Sequence, residues 1–136
     1  MDDTNAIARA YLVTQAGLTS LVGGASPRIY CPALPEGATL PAISYFTRGG
    51  NSTPYIPPIV EPSVQFSCWA DNLITARQIY GALYDALQGI QNVAVTIGAT
   101  TYYILSVIEE VQGQDLQEDI PNYFRVLAFF RLKIRT

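Results

Sequence analysis

Between residues 124 and 134 every even position is apolar (Phe124, Val126, Ala128, Phe130, Leu132, Ile134), while Arg125, Arg131 and Lys133 occupy odd ones. Side chains alternate across a strand, so this period of two predicts a strand with one face in the core and the other toward solvent or a partner. Leu127 and Phe129 interrupt the polar face in its middle. An apolar centre rimmed by charge is how many protein interfaces are built; the alternative is that the first helix covers these two side chains. The same alternation runs through Val64-Gln65-Phe66-Ser67-Cys68-Trp69 and changes, almost without a connector, to helical spacing at Leu73, Ala76, Tyr80, Leu83 and Leu87. Asp71-Asn72 stands where a cap is needed.

A first helix is predicted from Asp2, Asp3 or Thr4, with Ile7, Ala8, Ala10, Tyr11, Leu12, Val13 and Ala16 as its apolar surface and an end near Gly17. Residues 18–22 add a further turn before Gly23-Gly24. Strand-like runs follow at residues 28–30 and 42–48, separated by Pro32, Pro35 and Pro41, which make that connection extended and stiff. Residues 93–97 and 100–111 read as a hairpin joined by Gly98-Ala99. Five or six strands arranged as hairpins, with two main helices, predict one α+β domain over residues 1–136. Its sheet is antiparallel or mixed, with the helices packed on one face. Residues 49–62, rich in Pro and Gly, form the longest irregular stretch. Tyr55, Ile56, Ile59 and Val60 are too many apolar side chains for a solvated tether, so this loop is expected to dock on its own domain or, the favoured reading, on a neighbour.

At 136 residues the chain matches one domain and needs no staple, since a chain of that size buries about two thirds of its unfolded surface. Hydrophobic residues make up 49% and charged residues 14%, so either some apolar surface faces a partner or a well-filled core lies under Ser, Thr, Gln and Asn. The net charge of −3 argues against broad phosphate binding. A local patch does exist: Arg125, Arg131, Lys133 and Arg135 are half of the eight basic residues, and Glu109, Glu110, Asp115, Glu118 and Asp119 lie just upstream. These opposite charges pair either within one subunit or across a contact between subunits.

Candidate chemistry is sparse. The chain has no histidine, so triads built on Ser or Cys plus His cannot be assembled. Glu109-Glu110 and Glu118-Asp119 are adjacent pairs that a strand would send to opposite faces. Gly23-Gly24 and Gly49-Gly50 lack the signature of a phosphate cradle, and two cysteines, Cys31 and Cys68, do not make a metal site. No catalytic, cofactor-binding or metal-ligating residue is assigned and no cofactor is expected. The start of the chain lacks a secretion signal, and no run approaches the roughly eighteen apolar residues of a membrane span, so a soluble protein without a membrane partner is expected.

Three stretches carry a resemblance. Arg28-Ile29-Tyr30, then Leu40-Pro41-Ala42-Ile43-Ser44-Tyr45, then residues 64–69 leading into Ala76-Arg77-Gln78-Ile79-Tyr80 are similar in order and wording to the tail completion, or tail terminator, proteins of long-tailed bacteriophages. The resemblance spans roughly residues 5 to 135. It implies a structural virion protein made in the host cytoplasm, without enzymatic activity. Such a protein forms a ring, commonly a hexamer, at the head-proximal end of the tail, stops tube growth and presents a surface to the head connector. The implied partners are copies of itself, the tail tube protein and the connector or neck proteins, with DNA only passing through the ring. Candidate contact residues are Tyr55, Ile56, Ile59, Val60, Glu109, Glu110, Asp115, Glu118, Asp119, Arg125, Arg131 and Lys133. A head-tail adaptor or minor tail protein of the same particle is the alternative, and a small-ligand or enzymatic α+β domain a distant third.

Overall fold

The structure, a computed structural model, describes residues 3–52, 55, 58–117 and 123–135. Among them the chain order is α1 (Thr4–Leu12), α2 (Ala16–Thr19), β1 (Ile29–Tyr30), β2 (Ala42–Ser52), β3 (Ile59–Ala70), α3 (Leu73–Leu87), β4 (Gln91–Ile97), β5 (Thr100–Gln117) and β6 (Phe124–Arg135). The strands form one mixed sheet in the order β1-β2-β3-β6-β5-β4, parallel only between β1 and β2. The final strand is thus interior, hydrogen-bonded to β3 on one side and β5 on the other.

That position explains its sequence. Val126, Ala128, Phe130, Leu132 and Ile134 are all buried. Across the ladder they meet Cys68, Phe66 and Val64 of β3 and Val107 and Ile104 of β5. Phe66 links Tyr45 of β2, stacked at 5.8 Å between ring centroids, to Phe130, edge-on at 5.6 Å. Burying each such ring contributes about 2–3 kcal/mol. Cys68 is fully enclosed here; burial pushes its thiol up to about 12, so it acts as a small hydrophobe. Both cysteines are unpaired.

The helices start where local chemistry allows. Asp3 caps α1 by accepting from the Asn5 N–H at 2.9 Å, and Asn72 caps α3 by accepting from the Thr75 N–H at 2.8 Å. α1 is fixed at both ends of its path. The Tyr45 hydroxyl donates to the Asn5 carbonyl at 2.7 Å, Thr47 donates twice to the Asn5 side chain, and the Tyr11 hydroxyl donates to the Ala86 carbonyl in the last turn of α3. α1 touches both β2 and β4, which lie four places apart in the sheet. The sheet must therefore curl like half a barrel, and helices laid over one face of a flat sheet is too simple a picture.

Two segments extend further as strand than their composition predicts. Gly50 pairs with Pro62, Asn51 with Glu61 and Ser52 with Val60, so both ends of the irregular stretch expected at 49–62 are strand. A bulge at Gly49-Gly50 hides the alternation. Gly50 sits at φ +148, and a Cβ there would lie 2.2 Å from the Glu61 carbonyl oxygen, so only glycine fits. β5 likewise continues to Gln117 rather than stopping at Val111.

Beyond Ser106, β5 has no strand partner on its outer side among the described residues, because β4 pairs only with residues 100–106. α3 and its end cover that edge instead. The Gly89 N–H donates to the Val107 carbonyl, the Glu109 N–H to the Gln88 side chain, the Gly113 N–H to the Tyr80 hydroxyl, and Arg77 to the Gly113 carbonyl. An open edge is a template for unwanted pairing, and these bonds close it.

Gly113 makes this closeness possible. A Cβ there would lie 2.8 Å from the Tyr80 ring and 2.9 Å from Val126 Cγ1. Gly113→Ala should therefore cost about 1–3 kcal/mol through overpacking, read as a lowered urea midpoint. Gly17→Ala, where a Cβ meets nothing within 4 Å, should leave the midpoint unchanged or slightly raised; equal behaviour of the two variants would refute the packing argument.

Candidate protein interface on the outer sheet face

The odd positions of β6 and their ladder partners share the sheet's outer face. Arg125 lies opposite Trp69 and Leu116, Leu127 opposite Ser67 and Gln114, Phe129 opposite Gln65 and Val111, and Arg131 opposite Ser63 and Ile108. Ile108 is 59% exposed and Val111 43%, and they flank the half-buried Leu127 and Phe129. The centre of this face is therefore aliphatic and partly open. α1 does not supply the lid considered from sequence, since its main sheet contacts are with β2 and β4.

Cations form the rim, and they lie flat. The Arg48 guanidinium sits 4.1 Å from the Phe129 ring centre, Arg135 4.5 Å from Tyr103 and Arg125 5.1 Å from Trp69. Trp69 is held in turn by its Nε1–H donating to Ser44 Oγ at 2.9 Å and by the edge of Tyr123 at 6.3 Å. A polar relay crosses the face. Arg48 Nε donates to Ser63 Oγ at 2.9 Å, Ser63 donates to Glu110 Oε1 at 2.5 Å, and Arg131 Nη2 donates to Glu110 Oε2 at 2.9 Å. These contacts lower the Glu110 pKa below its ordinary value. The Ser63 hydrogen bond is the largest cause; burial opposes it, and the Arg131 bond and the Arg131 and Arg48 charges reinforce it. Lys133 pairs more loosely with Glu61 at 3.6 Å.

The acidic run does not stay together. Glu110 is the extra residue of a bulge and joins the outer face, whereas Glu109 accepts from the Tyr80 hydroxyl and Asp115 pairs with Arg77 of α3 at 2.7 Å. Burial and the Glu109 bond push the Tyr80 hydroxyl up to about 12. The acidic segment and the basic strand face are thus neighbours, and the Arg131–Glu110 and Arg77–Asp115 pairs lie within one chain. Glu118, Asp119 and Ile56 lie outside the described residues. Tyr55 is 91% exposed, while Ile59 and Val60 are half-buried in β3 opposite Arg135 and Ile134.

Sequence reading missed Arg48, Trp69, Ile108 and Val111 as members of this face. Simple alternation places Ile108 and Val111 on opposite faces, and only the Glu110 bulge puts them together. A Glu-Glu step between the apolar Ile108 and Val111 is the one signal that hinted at it.

Neither a family model nor a curated protein matches the sequence. Among solved structures, one titled "Virion of native gene transfer agent (GTA) particle" contains a chain that superposes with a TM-score of 0.68 over 98% of this chain and 95% of its own length, at 17% identity. At that identity the likeness shows a shared fold. No helix among the described residues is long and apolar enough to cross a membrane.

The lowered Glu110 pKa has a signed consequence. A carboxylate whose folded pKa is depressed contributes stability above its unfolded pKa and loses it as pH falls through the folded value. Wild type should therefore exceed Glu110→Gln by about 1 kcal/mol or less at neutral pH, given the half-exposed Arg131 partner. The gap should close as pH drops below the ordinary glutamate range. Denaturant midpoints across that range check this, and a gap independent of pH would refute it.

Proposed function

We propose that the protein is a structural subunit of a phage-like particle, a tail terminator or completion protein working by surface contact and without catalysis. The observation that carries this reading is the likeness in fold, along nearly the whole of both chains, to a chain from a gene transfer agent virion. Two features support it. The sequence resembles tail completion proteins from the Arg28-Ile29-Tyr30 run through to Tyr80. The outer sheet face also has the aliphatic centre and charged rim of a protein contact surface rather than the inward-converging polar groups of a substrate pocket.

In this role copies assemble as a ring, in number a hexamer by resemblance, on the head-proximal end of the tail tube. The ring halts tube growth and meets the connector, and DNA passes through it without being held. A net charge of −3 suits such passage, because a surface poor in free cations does not retain the phosphate backbone. The resting place of the protein is then the virion.

Labelled protein added to tail tubes and imaged by electron microscopy tests the assignment. The expected result is a cap at one tube end with fixed tube length. Label within the connector would instead make this chain a head-tail adaptor, and label along the tube a minor tail protein. Absence from both tube and neck would remove the proposal altogether.

A further inference from the structure

α3 has an outward stripe that the described residues leave uncovered. Ile74 is 74% exposed, the most exposed aliphatic side chain among the described residues, and Gln78, Tyr84 and Asp85 follow it on the same side of the helix. Gly81 sits in the middle of this stripe. A Cβ there would meet nothing within 4 Å, so no contact inside the chain demands glycine, although glycine in a helix interior is a poor helix former compared with alanine. Its remaining physical use is to let another surface approach the helix closely. Leu73, Ile74, Arg77 and Gln78 line a shallow apolar cleft beside it.

The outer sheet face is on the other side of the domain. α3 turns Ala76, Ile79, Leu83 and Leu87 into the core against β3 and β6, whose opposite side is that face. The face carries Arg48, Arg125, Arg131, Lys133 and Arg135, five of the eight cations, with Glu61 and Glu110 as its acids; the rest of the described residues hold three cations and six acids. Asp71 and Asp85, both exposed, flank the α3 stripe, and the cation beside it, Arg77, is paired with Asp115. The two unpartnered surfaces are thus complementary in charge, and each has an aliphatic centre.

We infer that the occupant of the outer sheet face is a second copy of this chain, docked through the α3 stripe around Ile74 and Gly81. This deepens the ring reading and rests on it. A contact between two different patches on opposite sides of a subunit repeats head to tail and closes into a ring when the rotation allows. A nucleic acid is a poorer occupant: Phe129, Trp69 and Tyr103 are already covered by arginines, and Arg131 and Lys133 already face carboxylates.

The test uses the full chain, its mass followed by light scattering in solution and its capping followed on tail tubes. Gly81→Gln should keep or raise the melting temperature of the monomer, because it improves the helix. It should also weaken self-association about tenfold or more. Ile74→Glu and Ile108→Glu should each remain monomeric. Mixed, they should form one-to-one dimers, because each retains the face the other lacks. The inference is overturned if Gly81→Gln assembles and caps like wild type, if the mixture stays monomeric, or if wild type stays monomeric while binding a short DNA duplex through Arg131 and Lys133. Wild-type rings and caps unaffected by these substitutions would sink this interface and leave the terminator reading standing. Wild type that neither associates nor meets tubes would sink both.

Discussion

β6 is paired on both edges and apolar on one face only, and the rest of the molecule follows from that double constraint. With β3 and β5 fixing its register, Val126 to Ile134 must supply the core at every second position, and the intervening Arg125, Arg131 and Lys133 must point away from it. A slip of one residue would bury the four cations Arg125, Arg131, Lys133 and Arg135 and expose five apolar side chains, which makes the register strongly specified. The gathering of cations on one face of a chain whose net charge is negative is thus a consequence of strand geometry.

The same geometry creates a liability that α3 resolves. β5 runs well past the end of β4, leaving an edge whose N–H and C=O groups would otherwise be open. Gln88, Gly89, Tyr80 and Arg77 satisfy that edge from the side, and Gly113 lets the Tyr80 ring come close enough to do so. α3 therefore has two duties on its inner side, filling the core and sealing an edge. Its outer side, around Ile74 and Gly81, is left with no task among the described residues.

Much of this was legible because period and caps are local signals. β6, the abrupt passage from β3 into α3, the Asn72 cap and the Gly98-Ala99 hairpin all announce themselves within a few residues. The curl of the sheet was not legible, because it depends on α1 meeting β2 and β4 at once. The strand ends at residues 49–52 and 59–62 were obscured by Gly49, Gly50 and Pro62, which serve a bulge and a close crossing. The basic rim of the outer face was visible in the odd positions of β6, but its aliphatic centre depends on the irregularity at Glu110. Whether Arg131 meets its carboxylate inside or outside the subunit turned on the strand order, which no single segment encodes.

That intrachain pairing bears on what the face can bind. A cation lying on Phe129 or tied to Glu110 has already lost much of its rotamer freedom, so ordering it again on association costs little. It has also surrendered part of the charge a polyphosphate would need to displace counterions. Pre-ordered, partly neutralised rims around an open aliphatic centre favour a protein surface that matches their shape over a flexible polyanion that only matches their sign. The physical demand on a partner is then an apolar ridge with acids at its margins.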